Sequence, residues 1–101
     1  MFETKIIGKD EVLLSITGSL SGETTNEFHR QMDELVGALY ATISLDLSRT
    51  DSINSAALGK IMLFKKKLAE QQRTLQIKGC SEALYKTFLM VRADLMISIT
   101  K

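Results

Sequence analysis

The stretch Thr42-Ile43-Ser44-Leu45-Asp46-Leu47-Ser48-Arg49-Thr50-Asp51-Ser52-Ile53-Asn54-Ser55-Ala56-Ala57-Leu58-Gly59 decides the reading of this chain. Its first six residues are short, β-prone and mostly apolar, as in a central strand covered on both faces. Ser48 to Asn54 is polar apart from Ile53 and reads as a connecting loop. From Ser55 the apolar spacing turns helical, with Ala57, Ile61, Phe64 and Leu68 on one stripe and Leu58 and Met62 beside it. That helix runs as far as Gln71-Gln72-Arg73.

Upstream, Phe2, Thr4 and Ile6 share one parity, and Glu11 to Thr17 follows after a break at Gly8-Lys9-Asp10. A period near two with a short Gly/Asp break predicts two strands in a hairpin. Gly18-Ser19-Leu20-Ser21-Gly22 then forms a polar loop. Thr24 and Glu27 have the spacing of a capping box, and Phe28, Met32, Leu35, Val36 and Leu39 predict an amphipathic helix from about Thr25 to Leu39. Downstream, Thr74 to Ile77 reads as a strand. Ser81 is a cap for a third helix carrying Leu84, Phe88 and Val91, and Leu95 to Ile99 is a last short strand.

The resulting order is β-β-α-β-α-β-α-β. Strands alternating with helices imply crossovers and a mixed α/β sheet of four to five strands, largely parallel, with the hairpin as an antiparallel edge. The 101 residues amount to one domain. With 13 Lys and Arg against 12 Asp and Glu, no strong field recruits nucleic acid or anionic lipid. The single cysteine, Cys80, forms no internal disulfide and suggests a reducing compartment. Residues Met1 to Lys5 contain no apolar signal core, and no run of 18 apolar residues occurs, so a cytoplasmic domain without direct membrane insertion is expected.

The Ile43–Gly59 stretch resembles the signature of STAS domains, more narrowly that of bacterial anti-sigma factor antagonists. In that pattern a strand ends in Asp-Leu-Ser, as Asp46-Leu47-Ser48 does here. A short loop follows, then an apolar residue, Asp-Ser-Ser/Thr-Gly-Leu-Gly and a helix. Gly18-Ser19-Leu20 matches a Gly-x-Leu after the second strand, and Leu75-Gln76-Ile77-Lys78-Gly79 matches the strand before the third helix. The resemblance places Ser55 on the phosphorylated serine of such proteins. It implies partner switching: the unphosphorylated form binds an anti-sigma factor/serine kinase of the histidine-kinase-like ATPase fold, and a PP2C-type serine phosphatase reverses the modification. The implied partner surface is Ser52, Ile53, Asn54, Ser55 and Ala56, with Leu58, Lys60 and Met62 on the helix and Ser19, Leu20 and Ser21 in the neighbouring loop.

Physical chemistry gives Ser55 two readings. A serine before an apolar helical run is commonly a cap worth ~1 kcal/mol. A hydroxyl at a helix N-terminus is equally placed to become a phosphate held by free amides and the positive dipole end. Leu58 and Met62 likewise either widen the core face or meet a partner. Three residues depart from the family pattern: Asn54 for Asp, Ala56 for a second Ser or Thr, and Ala57 for Gly. STAS domains also occur as unmodified subunits of membrane transport complexes, including lipid transporters, and as ligand-binding sensors; these are the rival readings.

Other chemistry has little support. His29 is the only histidine, in mid-helix, with no nucleophile and acid aligned to it, so it reads as an exposed helix residue and no catalytic group is assigned. With Cys80 as the only other soft ligand, no metal site or cofactor is expected. Cys80 reads as an ordinary small side chain near a helix cap. Gly18 to Gly22 lacks the Gly-Lys-Ser/Thr ending of a phosphate loop. Lys65-Lys66-Lys67 is balanced by Glu70 and reads as a solvated helix face.

Overall fold

A computed structural model describes residues 1–101. The elements are β1 (Phe2–Ile6), β2 (Glu11–Thr17), α1 (Glu23–Gly37), β3 (Thr42–Arg49), α2 (Ser55–Glu70), β4 (Thr74–Cys80), α3 (Glu82–Met90) and β5 (Ser98–Ile99), with a 3-10 turn at Ala93–Leu95. They form one sheet in the order β1-β2-β3-β4-β5. β1 pairs antiparallel with β2, Phe2 opposite Ile16 and Ile6 opposite Val12, and every other pair is parallel. The mixed sheet with an antiparallel edge is as the alternation implied.

Strictly sequential parallel strands joined by right-handed crossovers carry all their helices on one face. The burial pattern agrees. Val12, Leu14, Ile16, Ile43, Leu45, Leu47, Leu75 and Ile77 point into the core, while their alternates Leu13, Ser15, Asp46 and Gln76 are only half-buried. The expectation that β3 is covered on both faces is therefore corrected. Its second face is polar: Ser44 is fully buried there by its neighbours, and its hydroxyl donates to Glu11 Oε2 at 2.6 Å. Gln76 Nε2 donates to Ser44 Oγ at 3.0 Å, and Lys78 Nζ reaches Glu11 Oε2 at 3.4 Å. This ladder across β2, β3 and β4 holds the Glu11 carboxyl below its ordinary pKa, chiefly through the Ser44 hydroxyl and then Lys78, against the cost of partial desolvation.

On the helical face, α2 buries the predicted stripe of Ala57, Ile61, Phe64 and Leu68 completely. α1 contributes Phe28 and Met32, and the rings of Phe28 and Phe64 meet edge to face at 6.4 Å. Such a pair adds roughly 0.5–1.5 kcal/mol beyond simple burial. Arg73 ties the end of α1 to the start of β4, its Nε donating to the Tyr40 carbonyl at 2.7 Å and Nη1 to the Val36 carbonyl at 3.1 Å.

Several boundaries differ from the sequence reading. α1 starts at Glu23 with Gly22 as its cap residue, and the Thr24–Glu27 capping box does not form. Glu27 instead accepts hydrogen bonds from Arg30 and Gln31. Leu39 lies beyond the helix at φ 63° and is exposed, and Val91 at the end of α3 is exposed too. Helical spacing continues past both helix ends, but the backbone does not. β4 extends to Cys80 because it stays paired with β3 through a register shift after Leu45, and β3 extends to Arg49 because Arg49 pairs with Thr17 of β2. β5 shrinks to two residues, since Ala93–Leu95 forms the 3-10 turn and leaves Leu95 and Met96 in solvent.

Candidate functional site: the mouth of helix α2

Parallel strands deliver their C-terminal ends to one edge of the sheet, the edge where crossover folds place their functional loops. Here the loops after β2 and β3 are joined by backbone. Leu20 N donates to the Ser52 carbonyl at 2.9 Å, and Asn54 N donates to the Leu20 carbonyl at 3.0 Å. Leu20 and Ile53 form a parallel bridge, a one-residue extension of the sheet. Side chains reinforce it: Ser52 Oγ donates to Ser19 Oγ at 3.0 Å, and Ser19 Oγ donates to Asp51 Oδ1 at 2.8 Å. From below, the buried Thr50 hydroxyl donates to the Ile16 carbonyl at 2.8 Å. Ser81 Oγ donates to the Thr50 carbonyl, also at 2.8 Å, and accepts from Leu84 N as the cap of α3.

This anchored loop fixes the start of α2. Asn54 is its cap residue, with Oδ1 accepting from the Ala57 amide at 2.8 Å. Ser55 is the first helical residue and is exposed, as is Ala56 beside it. The first turn of α2 holds no acidic side chain. The Ser55 hydroxyl thus stands at the positive end of the helix dipole, relieved of capping by its neighbour.

The other candidate residues divide. Ser19, Ser52, Ile53, Asn54, Ser55 and Ala56 gather around the mouth through the bonds above. Ser21 is exposed in the same loop, its carbonyl accepting from Thr24 N at 3.2 Å. Leu20 is corrected: it is fully buried, so its side chain belongs to the core and only its backbone serves the mouth. Leu58 and Met62 are half-buried against the core, with part of each surface still open. Lys60 turns toward α1, its Nζ 3.2 Å from Nδ1 of His29, whose Nε2 lies 3.3 Å from Asp33. His29 is therefore a half-buried bridge between α1 and α2 rather than a freely exposed side chain.

Sequence reasoning placed Ser81 correctly as the cap of α3 but missed its bond to Thr50, passed over Thr50 itself and gave Gly79 no structural role. A hydroxyl whose partner is a backbone carbonyl some 30 residues away gives no local signal. Gly79 is required by proximity: a Cβ there would lie 2.7 Å from Asp46 Oδ1, the oxygen that accepts from the Ser48 amide at 3.0 Å and hydroxyl at 2.7 Å. Asp46 is thereby held at the edge of a polar hollow of about 270 Å³, lined also by Glu3, Ser15, Thr17, Ser48 and Arg49. Cys80 is buried, and desolvation, then the nearby Glu82, pushes its thiol up to about 11. No helix is long and apolar enough to cross a membrane.

The STAS family model, described as the Mlab STAS domain, matches residues 6–98. The chain belongs to the STAS domain family. Among solved structures, the STAS fold seen here is similar to that of the Bacillus anti-sigma factor antagonist SpoIIAA in its unphosphorylated form. The TM-score is 0.83 at 13% identity, covering 100% of this chain and 89% of that one. A Thermotoga maritima protein described as a candidate anti-sigma factor antagonist gives a TM-score of 0.90 at 24% identity, covering 99% and 86%. An anti-sigma factor antagonist from Mycobacterium paratuberculosis gives 0.86 at 13%, covering 98% and 83%. At these identities the likeness concerns the STAS fold. Comparison with curated protein sequences finds no match.

Proposed function

We propose that this STAS domain is an anti-sigma factor antagonist-like regulatory protein that works by partner switching in the cytoplasm. With Ser55 unmodified, the mouth of α2 docks on an anti-sigma factor/serine kinase of the histidine-kinase-like ATPase fold. That kinase then transfers the γ-phosphoryl group of ATP to Ser55 Oγ, forming the O–P bond as ADP leaves and the hydroxyl proton is lost. A PP2C-type serine phosphatase hydrolyses the ester and restores the first state. The chain is the bound surface in this cycle and not its catalyst.

The observation that supports this reading is the exposed Ser55 hydroxyl at the first position of α2, with Asn54 carrying the cap. A phosphate there adds about −1.5 to −2 charges where free amides and the helix dipole accommodate it. The fold tolerates the change, but a closely fitted neutral interface does not, because the new charge must be desolvated against the partner. Anti-sigma factor antagonists among the structural relatives are consistent with this choice.

A second reading is a STAS subunit of a membrane lipid transport complex that is never phosphorylated. The neutral Asn54, the absent second hydroxyl at Ala56 and Ala57 in place of the usual Gly favour it. Incubation with ATP and the serine kinases of the source cell, read by intact mass, separates the two. One phosphate on the wild type and none on Ser55→Ala supports switching. Loss of a kinase-like partner from Ser55→Glu, with circular dichroism unchanged, completes it. No phosphate, together with co-purification of a transporter ATPase, replaces the first reading by the second.

A further inference from the structure

Ten large apolar side chains are exposed, and five of them, Leu89, Met90, Val91, Leu95 and Met96, fall within eight residues. Met90 is 83% exposed and Leu95 69%. Arg92, at φ 59° in the left-handed region, turns the chain back at the end of α3, so that the 3-10 turn packs beside that helix. The two apolar runs therefore form one patch. Scattered apolar residues on a surface are ordinary, whereas a contiguous patch of this kind marks an interaction site. The five side chains present roughly 600 Å², the upper end for the largest patch of a monomer.

We infer that this patch is where a second copy of the chain docks, around a twofold axis. An isologous interface must be self-complementary, and a patch that carries one cation and one anion can be. Arg92 and Asp94 both stand exposed between the apolar runs, so a twofold pairing can set the Arg92 of each copy against the Asp94 of the other. Joining two patches removes at most roughly 1,200 Å² from water, the lower end of a stable interface. A lipid surface fits less well: from Glu82 to Met96 two acidic residues balance two basic ones, which gives anionic headgroups no net attraction. β5 packs on the same 3-10 turn and pairs on one side only, so the second copy also shields an open strand edge. The patch lies at the far end of α3 from Ser81, which touches the loop before α2. A nine-residue helix separates the two by roughly 13 Å, so docking leaves the Ser55 mouth accessible and does not depend on how that mouth is used.

Sedimentation velocity on the whole chain, over a micromolar concentration series, should show a monomer passing to a dimer. Met90→Glu with Leu95→Glu should weaken that association at least roughly tenfold, as loss of interface anchors does, without altering circular dichroism. Arg92→Asp and Asp94→Arg should each weaken self-association and restore it when mixed. A Val91→Cys variant should cross-link to itself on oxidation, whereas a cysteine at exposed Glu34 should not; buried Cys80 stays silent in both. A chain that remains monomeric throughout overturns the inference. So does a dimer indifferent to these substitutions, or a monomer that sediments with phosphatidylserine vesicles through the same residues.

Discussion

Asn54 Oδ1 accepts the Ala57 amide at 2.8 Å, and that one bond separates the duties of two adjacent residues. Asn54 closes the helix; Ser55 is left facing solvent at its first position. In many helices one serine would do the capping, and modifying it would then fray the first turn. Here a group attached to Ser55 changes the surface without removing the cap.

That division is measurable by thermal denaturation. Asn54→Ala should cost ~1 kcal/mol, and Ser55→Ala should stay within about 0.5 kcal/mol of wild type. Ser55→Asp should be neutral or stabilising by up to ~1 kcal/mol, since a carboxylate suits a helix N-terminus. In a domain of this size 1 kcal/mol moves the Tm by about 4–8 °C, well within reach of the measurement. If Ser55→Ala costs as much as Asn54→Ala, the capping assignment is wrong.

Gly79 and Asp46 make the second case. A methyl group at 79 would sit 2.7 Å from Asp46 Oδ1, so Gly79→Ala forces the carboxylate away from the Ser48 amide and hydroxyl. The expected loss is about 1–3 kcal/mol, read from urea unfolding. In an Asp46→Ala background the same substitution should cost much less. Equal costs in both backgrounds would mean that the obstacle is backbone and not the carboxylate.

Acid should weaken the fold through Glu11. Its carboxyl is held below the ordinary value of 4.5 by Ser44 and Lys78. A carboxylate with a lowered folded pKa contributes stability that is complete above its unfolded value and is lost as pH falls through the folded one. Stability should therefore be flat above about pH 5 and fall progressively below 4.5, with Glu27, lowered mainly by Arg30, acting in the same direction. Ser44→Ala should raise the Glu11 pKa, followed by its side-chain carbonyl NMR shift, and remove part of the acid slope. An unchanged titration would show that the ladder across the sheet does not hold the charge.

Cys80 should be inert while the chain is folded. Burial and a thiol raised to about 11 leave almost no thiolate at pH 8. Labelling by a disulfide reagent should be slow in buffer and prompt in denaturing urea. Prompt labelling in buffer would contradict the burial.

How much was legible beforehand follows the range of the interactions. The second strand of the hairpin, the strand Thr42–Leu47 and the stripe Ala57, Ile61, Phe64 and Leu68 were readable because their side-chain periods belong to the elements themselves, whereas β1 is exposed beyond Phe2 and shows no such period. Thr24 and Glu27 had the right spacing for a capping box yet form none, since Gly22 takes the cap position and Glu27 is occupied by Arg30 and Gln31. Leu20 looked like a loop residue open to a partner, and pairing with Ile53, 33 positions on, draws it into the core. Thr50 was silent for the same reason, and so was the second bond of the Ser81 cap: each hydroxyl is bound to a carbonyl on another element.

The order and kind of the elements, the strand–loop–helix signature and the position of Ser55 at the start of α2 were fixed by the sequence alone, because periodicity and turn chemistry act between near neighbours. Which face of the sheet is covered, how the loop before α2 is anchored and which loop residue is buried were decided only in the folded chain. Those outcomes depend on hydrogen bonds and packing between segments some 30 positions apart, and nothing in a local stretch of sequence encodes where such a partner will stand.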